Sequence, residues 1–319
     1  NKRSAVLDLK RPEGREALGV LAARADLVVE NFAPGTLDAL GVGWEFFRGI
    51  RPDLPLVSIS NFGQDGPYRD YKGSELVLYG FAGEMYSIGL PEREPVKMAG
   101  TVALFQAGAA AAAGIMGALF AAKKHGIGQH VDFAITEAHA GSVDRRQATI
   151  VSYGYSGRHQ GRTTPGAGGM PAGVYPCADG YVDFTGATAV AGRVPVMLGN
   201  PEWLNDPDFS DPVRRFHPEV IERFNMHFLE WCLARTKREI WEEARRAKVM
   251  CGPLFTMEDM FSDEHFRSRG MWEKTEHPFL GEVELPGRQF LMQRGGYQLR
   301  RRAPLLGEHT REVLAEAGL

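Results

Sequence analysis

Cysteine is scarce in this chain: Cys177, Cys232 and Cys251 are spread over 319 residues with no CxxC pair. That spacing fits reduced thiols in a cytoplasmic protein better than a disulfide framework or a zinc site. The nine histidines show no HExxH or other ligand spacing, so no metal site is expected. No GxGxxG is present, which counts against a nucleotide-binding oxidoreductase and against NAD as cofactor. Neither sign of charge dominates: 37 basic and 40 acidic residues leave a net charge of -3, without the footprint of a nucleic-acid partner. Internal repeats and low-complexity tracts are absent. The chain opens at Asn1 without Met or a signal-like segment and runs straight into a strand pattern, so preceding sequence is expected.

Charge is missing from one long stretch, Val102 to Ala122, which is long enough to cross a bilayer. Its residues are mostly Ala and Gly, which bury little apolar area each, and a mean hydropathy of -0.25 offers no second span. The stretch reads as a buried helix over Thr101–Lys124. Lys123 and Lys124 sit at its negative end and Gly126 stops it, so no membrane partner is expected.

What is present is 44% apolar and 24% charged, enough for a sizeable core and two domains. Ser4–Leu9, Leu27–Val29 and Leu56–Ser60 are strand-like. Helical spacing fills Pro12–Ala25 and, broken near Gly41 and Gly43, Leu37–Ile50. Strands and helices alternating at this spacing indicate a parallel sheet, whose ligands sit at the carboxyl ends of the strands. After about residue 150 the pattern changes. Ser152–Gly173 is rich in Gly, Thr, Pro and Arg and contains Gly166-Ala167-Gly168-Gly169, as a linker or an active-site loop does. Tyr175–Ala187 reads as a hairpin turning at Asp179-Gly180, and helical patterns follow at 220–233, 237–247 and 257–261. Glu282–Leu285 and Gln289–Leu291 read as short strands and His309–Ala317 as a terminal helix. Arg300-Arg301-Arg302 reads as a solvated face, with phosphate contact as the lesser alternative.

The stretch with chemistry in it is Gly128–Asp144, GQHVDFAITEAHAGSVD. Alternation from His130 to Ile135 predicts a short strand, and Thr136 is expected to cap the helix that follows. Glu137 would then lie in the first turn, among free backbone N–H groups and the positive end of the dipole, which suit a carboxylate. A carboxylate at a strand-to-helix switch is either a capping residue or a covalent nucleophile. Asp132, His139 and Asp144 are nearby acids or bases. Asp132 reads as structural, and His139 as a packed or solvated helix residue.

Several stretches together resemble the family III coenzyme A transferases, a group that includes formyl-CoA transferase, the carnitine and bile-acid CoA-transferases and the alpha-methylacyl-CoA racemases. They are NKRSAVLDLKRPEGREAL, DLVVENFAPGTLDALGV, SISNFGQDGPYRDYKGSE, GIGQHVDFAITEAHA, VMCGPLFTMEDMFSDEHFRSRGM and APLLGEHTREVLAEAGL, in order along the whole chain. The resemblance implies an α/β fold with a Rossmann-like parallel-sheet large domain built from both chain ends, a smaller α+β domain, and an interlaced dimer. Its expected boundaries are 1–150 for the large domain (lacking its first strand-helix unit), 151–174 for the linker and glycine-rich loop, 175–280 for the small domain and 281–319 for the return. The implied activity moves coenzyme A between carboxylic acids through an anhydride and then a thioester on Glu137. Asn31, Phe32, Lys72 and Glu75 would contact the coenzyme, while Gly166, Gly168 and Gly169 match a loop that closes over the carboxylate. Expected partners are an acyl-CoA, a carboxylic acid acceptor, and a second copy or a related subunit.

Departures from the family pattern keep two alternatives open, a CoA-binding pseudo-enzyme or partner subunit and an acyl-CoA isomerase or dehydratase. Glu137 replaces the usual Asp, Leu104 stands where many members carry Asp, and Ala39 where a coenzyme-contacting Arg is common. Ser74 occupies the position of the racemases' catalytic His, so a two-base racemase is not expected.

Overall fold

The computed structural model describes residues 1–141, 145–159, 161–162, 169–185 and 192–319, with only the backbone at 145–147. They form a mixed α/β protein in two compact units, Asn1–Arg162 with Arg300–Leu319, and Thr163–Leu299.

In the first unit α1 (Pro12–Ala23) leads to β1 (Val28–Glu30), then α2 (Thr36–Ala39) and α3 (Trp44–Ile50), and on to β2 (Leu56–Ser60). Gly41, at φ 73°, makes the break between α2 and α3 that the glycine pair predicts. After α4 (Glu75–Phe81) and the long α5 (Val102–His125), the chain enters β3 (His130–Ala134), α6 (Ile135–Ala140) and α7 (Arg145–Ser156). β2 is buried along nearly its whole length, its serines Ser58 and Ser60 included, as befits a strand flanked on both sides. It pairs in parallel with β1 and β3, placing Val57 between Val29 and Val131. Ala22, Leu37, Val42, Phe47, Leu54 and Leu56 close one core around this sheet. The C-terminal helix Thr310–Ala317 belongs to the same unit.

Two expectations for this unit are corrected. Ser4–Leu9 is not a strand; among the described residues its backbone bonds instead to the C-terminal segment, Ser4 O accepting from His309 N and Val6 N donating to Thr310 Oγ1. Second, α5 is not a buried helix. It ends at Gly126 (φ 66°) as expected, but only the stripe Ala103, Ala107, Ala111, Ala118 and Ala122 is buried. Leu104, Phe105, Met116 and Phe120 face outward, Phe105 at 78% exposure. By length and composition alone α5 could cross a membrane. Its alanine stripe is where the helix meets α6 and β3, small side chains letting the backbones come close.

The second unit begins with β4 (Gly173–Cys177) and β5 (Gly180–Phe184), a hairpin as predicted, followed by α8 (Val194–Leu198) and α9 (Pro207–Ser210). Next come α10 (Pro218–Leu233), α11 (Lys237–Ala247) and β6 (Cys251–Pro253), which pairs antiparallel with β5. The core is Val182, Phe184, Phe224, Phe228, Cys232 and Ile240. Burial pushes the Cys232 and Cys251 thiols up to about 12, which keeps them protonated and inert. Both α11 and α12 (Met257–Ser262) open with capping boxes, on Thr236/Glu239 and Thr256/Asp259. After α13 (Glu264–Ser268) the hairpin of β7 (Trp272–His277) and β8 (Gly281–Pro286) absorbs the expected strand at 282–285. The expected strand at Gln289–Leu291 is absent: those residues are exposed and pair with no strand among the described residues.

Gly128, the first residue of the GQ motif, has a packing reason to be glycine. A Cβ there would lie 2.1 Å from the Pro52 carbonyl oxygen and 2.9 Å from the Asp53 backbone carbon. Backbone cannot swing aside as a side chain can, so Gly128→Ala is expected to cost about 1–3 kcal/mol. Thermal unfolding checks this; a wild-type Tm would contradict it.

Candidate functional site

The parallel register brings the carboxyl ends of β1, β2 and β3 to one edge of the sheet. At that edge β3 passes into α6 without a loop, Ala134 ending the strand and Ile135 starting the helix. Ala134, not Thr136, therefore occupies the capping position, which corrects the sequence expectation. Thr136 is the second helical residue and turns inward. Its backbone N–H and its hydroxyl both donate to the Asn61 carbonyl, at 3.2 and 3.1 Å. Glu137 still falls in the first turn, with its side chain exposed at the sheet edge.

The neighbouring acids and bases are engaged elsewhere. The Asp132 carboxylate accepts from the Gln64 backbone N–H at 2.8 Å, so it holds the loop after β2. His139 is 1% exposed, and its Nε2 donates to the Ala103 carbonyl at 2.9 Å. Asp144 lies outside the described residues.

The Asn61 side chain also donates to the Gly73 carbonyl at 3.3 Å, which draws residues 72–75 toward the same strand end. Lys72 is exposed there and has no ion-pair partner among the described residues. Ser74, at the capping position of α4, makes no side-chain cap. Glu75 points inward: its carboxylate meets Lys97 Nζ at 2.9 Å and accepts from the Ala103 N–H at 3.1 Å. These contacts, Lys97 first, hold its pKa below the usual carboxylate value despite burial, which acts the other way.

Asn31 and Phe32 follow β1 and are both exposed, the Phe32 N–H donating to the Glu30 carboxylate at 2.7 Å. An aromatic cluster of Phe62, Tyr68, Tyr71 and Phe81 flanks the end of β2, with neighbouring ring centroids 5.2–6.4 Å apart. Sequence reading did not single it out, though the spacing of aromatics through Phe62–Tyr71 was its signal. Gly169, in the second unit, adopts φ 137°, a backbone that side chains disfavour; Gly166 and Gly168 lie outside the described residues. Among the described residues no group of three or more His, Cys, Asp or Glu is placed to hold a metal ion.

Because the folded-state pKa of Glu75 is depressed, its pairing adds stability above the ordinary value of 4.5 and loses it as pH falls through the lowered value. Lys97→Met is expected to shrink this acid-side loss. Unfolding midpoints measured from pH 7 down to 3 check it; an unchanged profile would contradict it.

Comparison with known proteins identifies the family. The sequence profile of CoA-transferase family III matches residues 1–310. The chain is 32% identical over 337 residues to a formyl-CoA:oxalate CoA-transferase of Afipia carboxidovorans, covering 99% of this chain and 78% of that one. It is 32% identical over 330 residues to the succinyl-CoA:(R)-benzylsuccinate CoA-transferase subunit BbsE of Thauera aromatica, again covering 99% and 78%. Among solved structures, a CaiB/BaiF family protein from Brucella suis superposes with a TM-score of 0.85 at 30% identity, over 99% of this chain and 82% of that one. The chain belongs to CoA-transferase family III and is a CoA-transferase.

Proposed function

We propose that Glu137 is the covalent nucleophile that carries coenzyme A between two carboxylic acids. The observation that carries this reading is the state of the carboxylates around α6. Glu137 is exposed at the carboxyl edge of a parallel sheet, while Asp132 is bound to Gln64 N and Glu75 to Lys97. A group that must attack and be re-formed each cycle has to be accessible and uncommitted.

The reaction balances without water, oxidant or net proton transfer. A Glu137 oxygen attacks the acyl-CoA carbonyl and expels the coenzyme thiolate, leaving a mixed anhydride. The thiolate then attacks the Glu137 carbonyl carbon and releases the donor acid as its carboxylate. The acceptor carboxylate attacks the resulting glutamyl thioester and displaces the thiolate. Attack of that thiolate on the acceptor's acyl carbon gives the new acyl-CoA and returns Glu137 as a carboxylate. Each attack builds an oxyanion, and the backbone N–H groups of Gly168 and Gly169 are assigned to stabilise it. Asn31, Phe32 and Lys72 are assigned to the coenzyme; an exposed ammonium suits its phosphates, and an exposed ring suits stacking. Glu75, already bound to Lys97 and Ala103, serves this site by holding α4 and α5 in place.

The working unit is taken to be an interlaced dimer of two-domain chains in the cytoplasm. Support comes from the outward apolar residues of α5, Leu104, Phe105, Met116 and Phe120, an area a second copy or a related subunit would cover. The Thauera relative is itself named as a subunit, which is consistent with either partner. The two relatives name different acids, so donor and acceptor are settled by assay.

Glu137→Gln removes the nucleophile and is expected to lower kcat by about 1,000-fold or more. Glu137→Asp withdraws the carboxylate by one methylene and is expected to cost roughly 10- to 100-fold. Steady-state transfer assays over a panel of acyl-CoA donors check both; near-wild-type turnover by the Gln variant would refute the reading.

A further inference from the structure

Between Glu75 and Glu92 the chain is uncharged except for Glu84. After α4, Gly83 takes φ 85° and turns the chain, and Glu84 heads a single 3₁₀ turn, Met85–Ser87. The side chain goes inward, leaving Glu84 4% exposed. Arg162 pins the following loop by donating to the carbonyls of Leu90 and Arg93, at 2.9 and 2.8 Å. Burying a carboxylate costs free energy that only charge and hydrogen-bond partners offset, and an isolated one would not survive in a core. One group facing it is His139, whose Nδ1 lies 3.9 Å from Glu84 Oε2.

His139 in turn reaches three elements. Its Nε2 donates to the Ala103 carbonyl at the start of α5, and its ring meets Tyr79 of α4 edge-on at 6.0 Å. Ala103 uses its other backbone group, the N–H, for Glu75, which is paired with Lys97. Among the described residues, the charged groups packed around α6 on this side include Glu75, Lys97 and Glu84. On α6 itself His139 stands two residues after Glu137, a rotation of about 200°, so the two side chains leave opposite faces of the helix. With Thr136 fastened to Asn61, α6 is held at two points; the Thr136 bonds fix its first turn, and His139 fixes its rotation about its axis.

We infer that Glu84 and His139 form a buried positioning pair that sets the direction of the Glu137 carboxylate. The inference rests on the reading of Glu137 as nucleophile and adds two residues to it that touch no substrate. A short helix rotated by a few degrees displaces an outward side chain by a sizeable part of an ångström, enough to misalign an attacking oxygen. Loss of the pair therefore lowers turnover while leaving the coenzyme contacts of β1 and Lys72 in place.

The test is a double-mutant cycle on the full chain with Glu84→Gln, His139→Leu and the combination, read as kcat and KM for acyl-CoA. Each single variant is expected to lower kcat at least about tenfold with KM within about twofold, and the double variant to fall no further than the worse single one. His139→Gln, which keeps a donor for the Ala103 carbonyl, is expected to recover most of the loss; His139→Phe, which keeps a ring but no nitrogen, carries the cycle with Glu84→Gln if the Leu variant does not fold. Unchanged kcat, losses that multiply, or KM rising in step with falling kcat would overturn the positioning role. Should these results occur while Glu137→Gln is inactive, the positioning inference alone fails. Full turnover by Glu137→Gln would instead remove the nucleophile reading and the pair's role with it.

Discussion

Two hydrogen bonds from Thr136 to one carbonyl, that of Asn61, decide where Glu137 stands at the edge of the sheet. β2 and β3 are locked in parallel over five residues, and those two bonds extend the lock by one step past the strand ends. The helix that follows β3 has no loop in which to wander. Its first turn, with Glu137 in it, opens at the carboxyl edge of the sheet, the edge where parallel sheets of this kind bind their ligands. The remaining features of the first unit serve that placement. Asp132 ties down the loop after β2, Asn61 draws in the 72–75 segment, and the alanine stripe of α5 lets a long helix lie close against α6.

Much of this was legible in the sequence. Buried, β-branched residues mark β2, the Gly41–Gly43 break separates two helices, and GQHVDFA ends where the helix carrying Glu137 starts. The misreadings have local physical causes. Thr136 looks like a cap because a hydroxyl one residue before an acid usually is one; here the strand runs directly into the helix, and the hydroxyl is used for a tertiary bond instead. Ser4–Leu9 has the composition of a strand, but its hydrogen bonds go to the Gly307–Thr310 turn region. The β7 strand, WEKTEH, lacks apolar alternation altogether, because its hairpin is held by backbone pairing and by ions such as Lys274 with Glu282. In α5 the absence of charge suggested burial, whereas composition cannot tell a surface facing the chain's own core from one facing outward.

The candidate site divides in the same way. Glu137 is visible because position and chemistry coincide at a strand-to-helix switch. Glu84 and His139 are harder to see, since their meeting depends on a turn after α4 and on the packing of α6 against α5. The trace they leave is one acidic residue in an otherwise uncharged segment. The length of the glutamate at position 137, one methylene more than an aspartate, bears on the same geometry. A longer side chain has one more rotatable bond, so its carboxylate depends more on how firmly its helix is held. A helix fastened at Thr136 and at His139 is a scaffold on which that extra reach can be directed.

The central claim is that the acyl group and then coenzyme A become covalently attached to Glu137. Intact-mass measurement and peptide mapping after incubation with acyl-CoA donors, with hydroxylamine or borohydride to trap a glutamyl thioester, test this directly. A modification on the peptide containing Glu137, absent from Glu137→Gln, is the predicted result. A trapped adduct on Asp132 or another residue, or steady turnover with no adduct on Glu137, would contradict it.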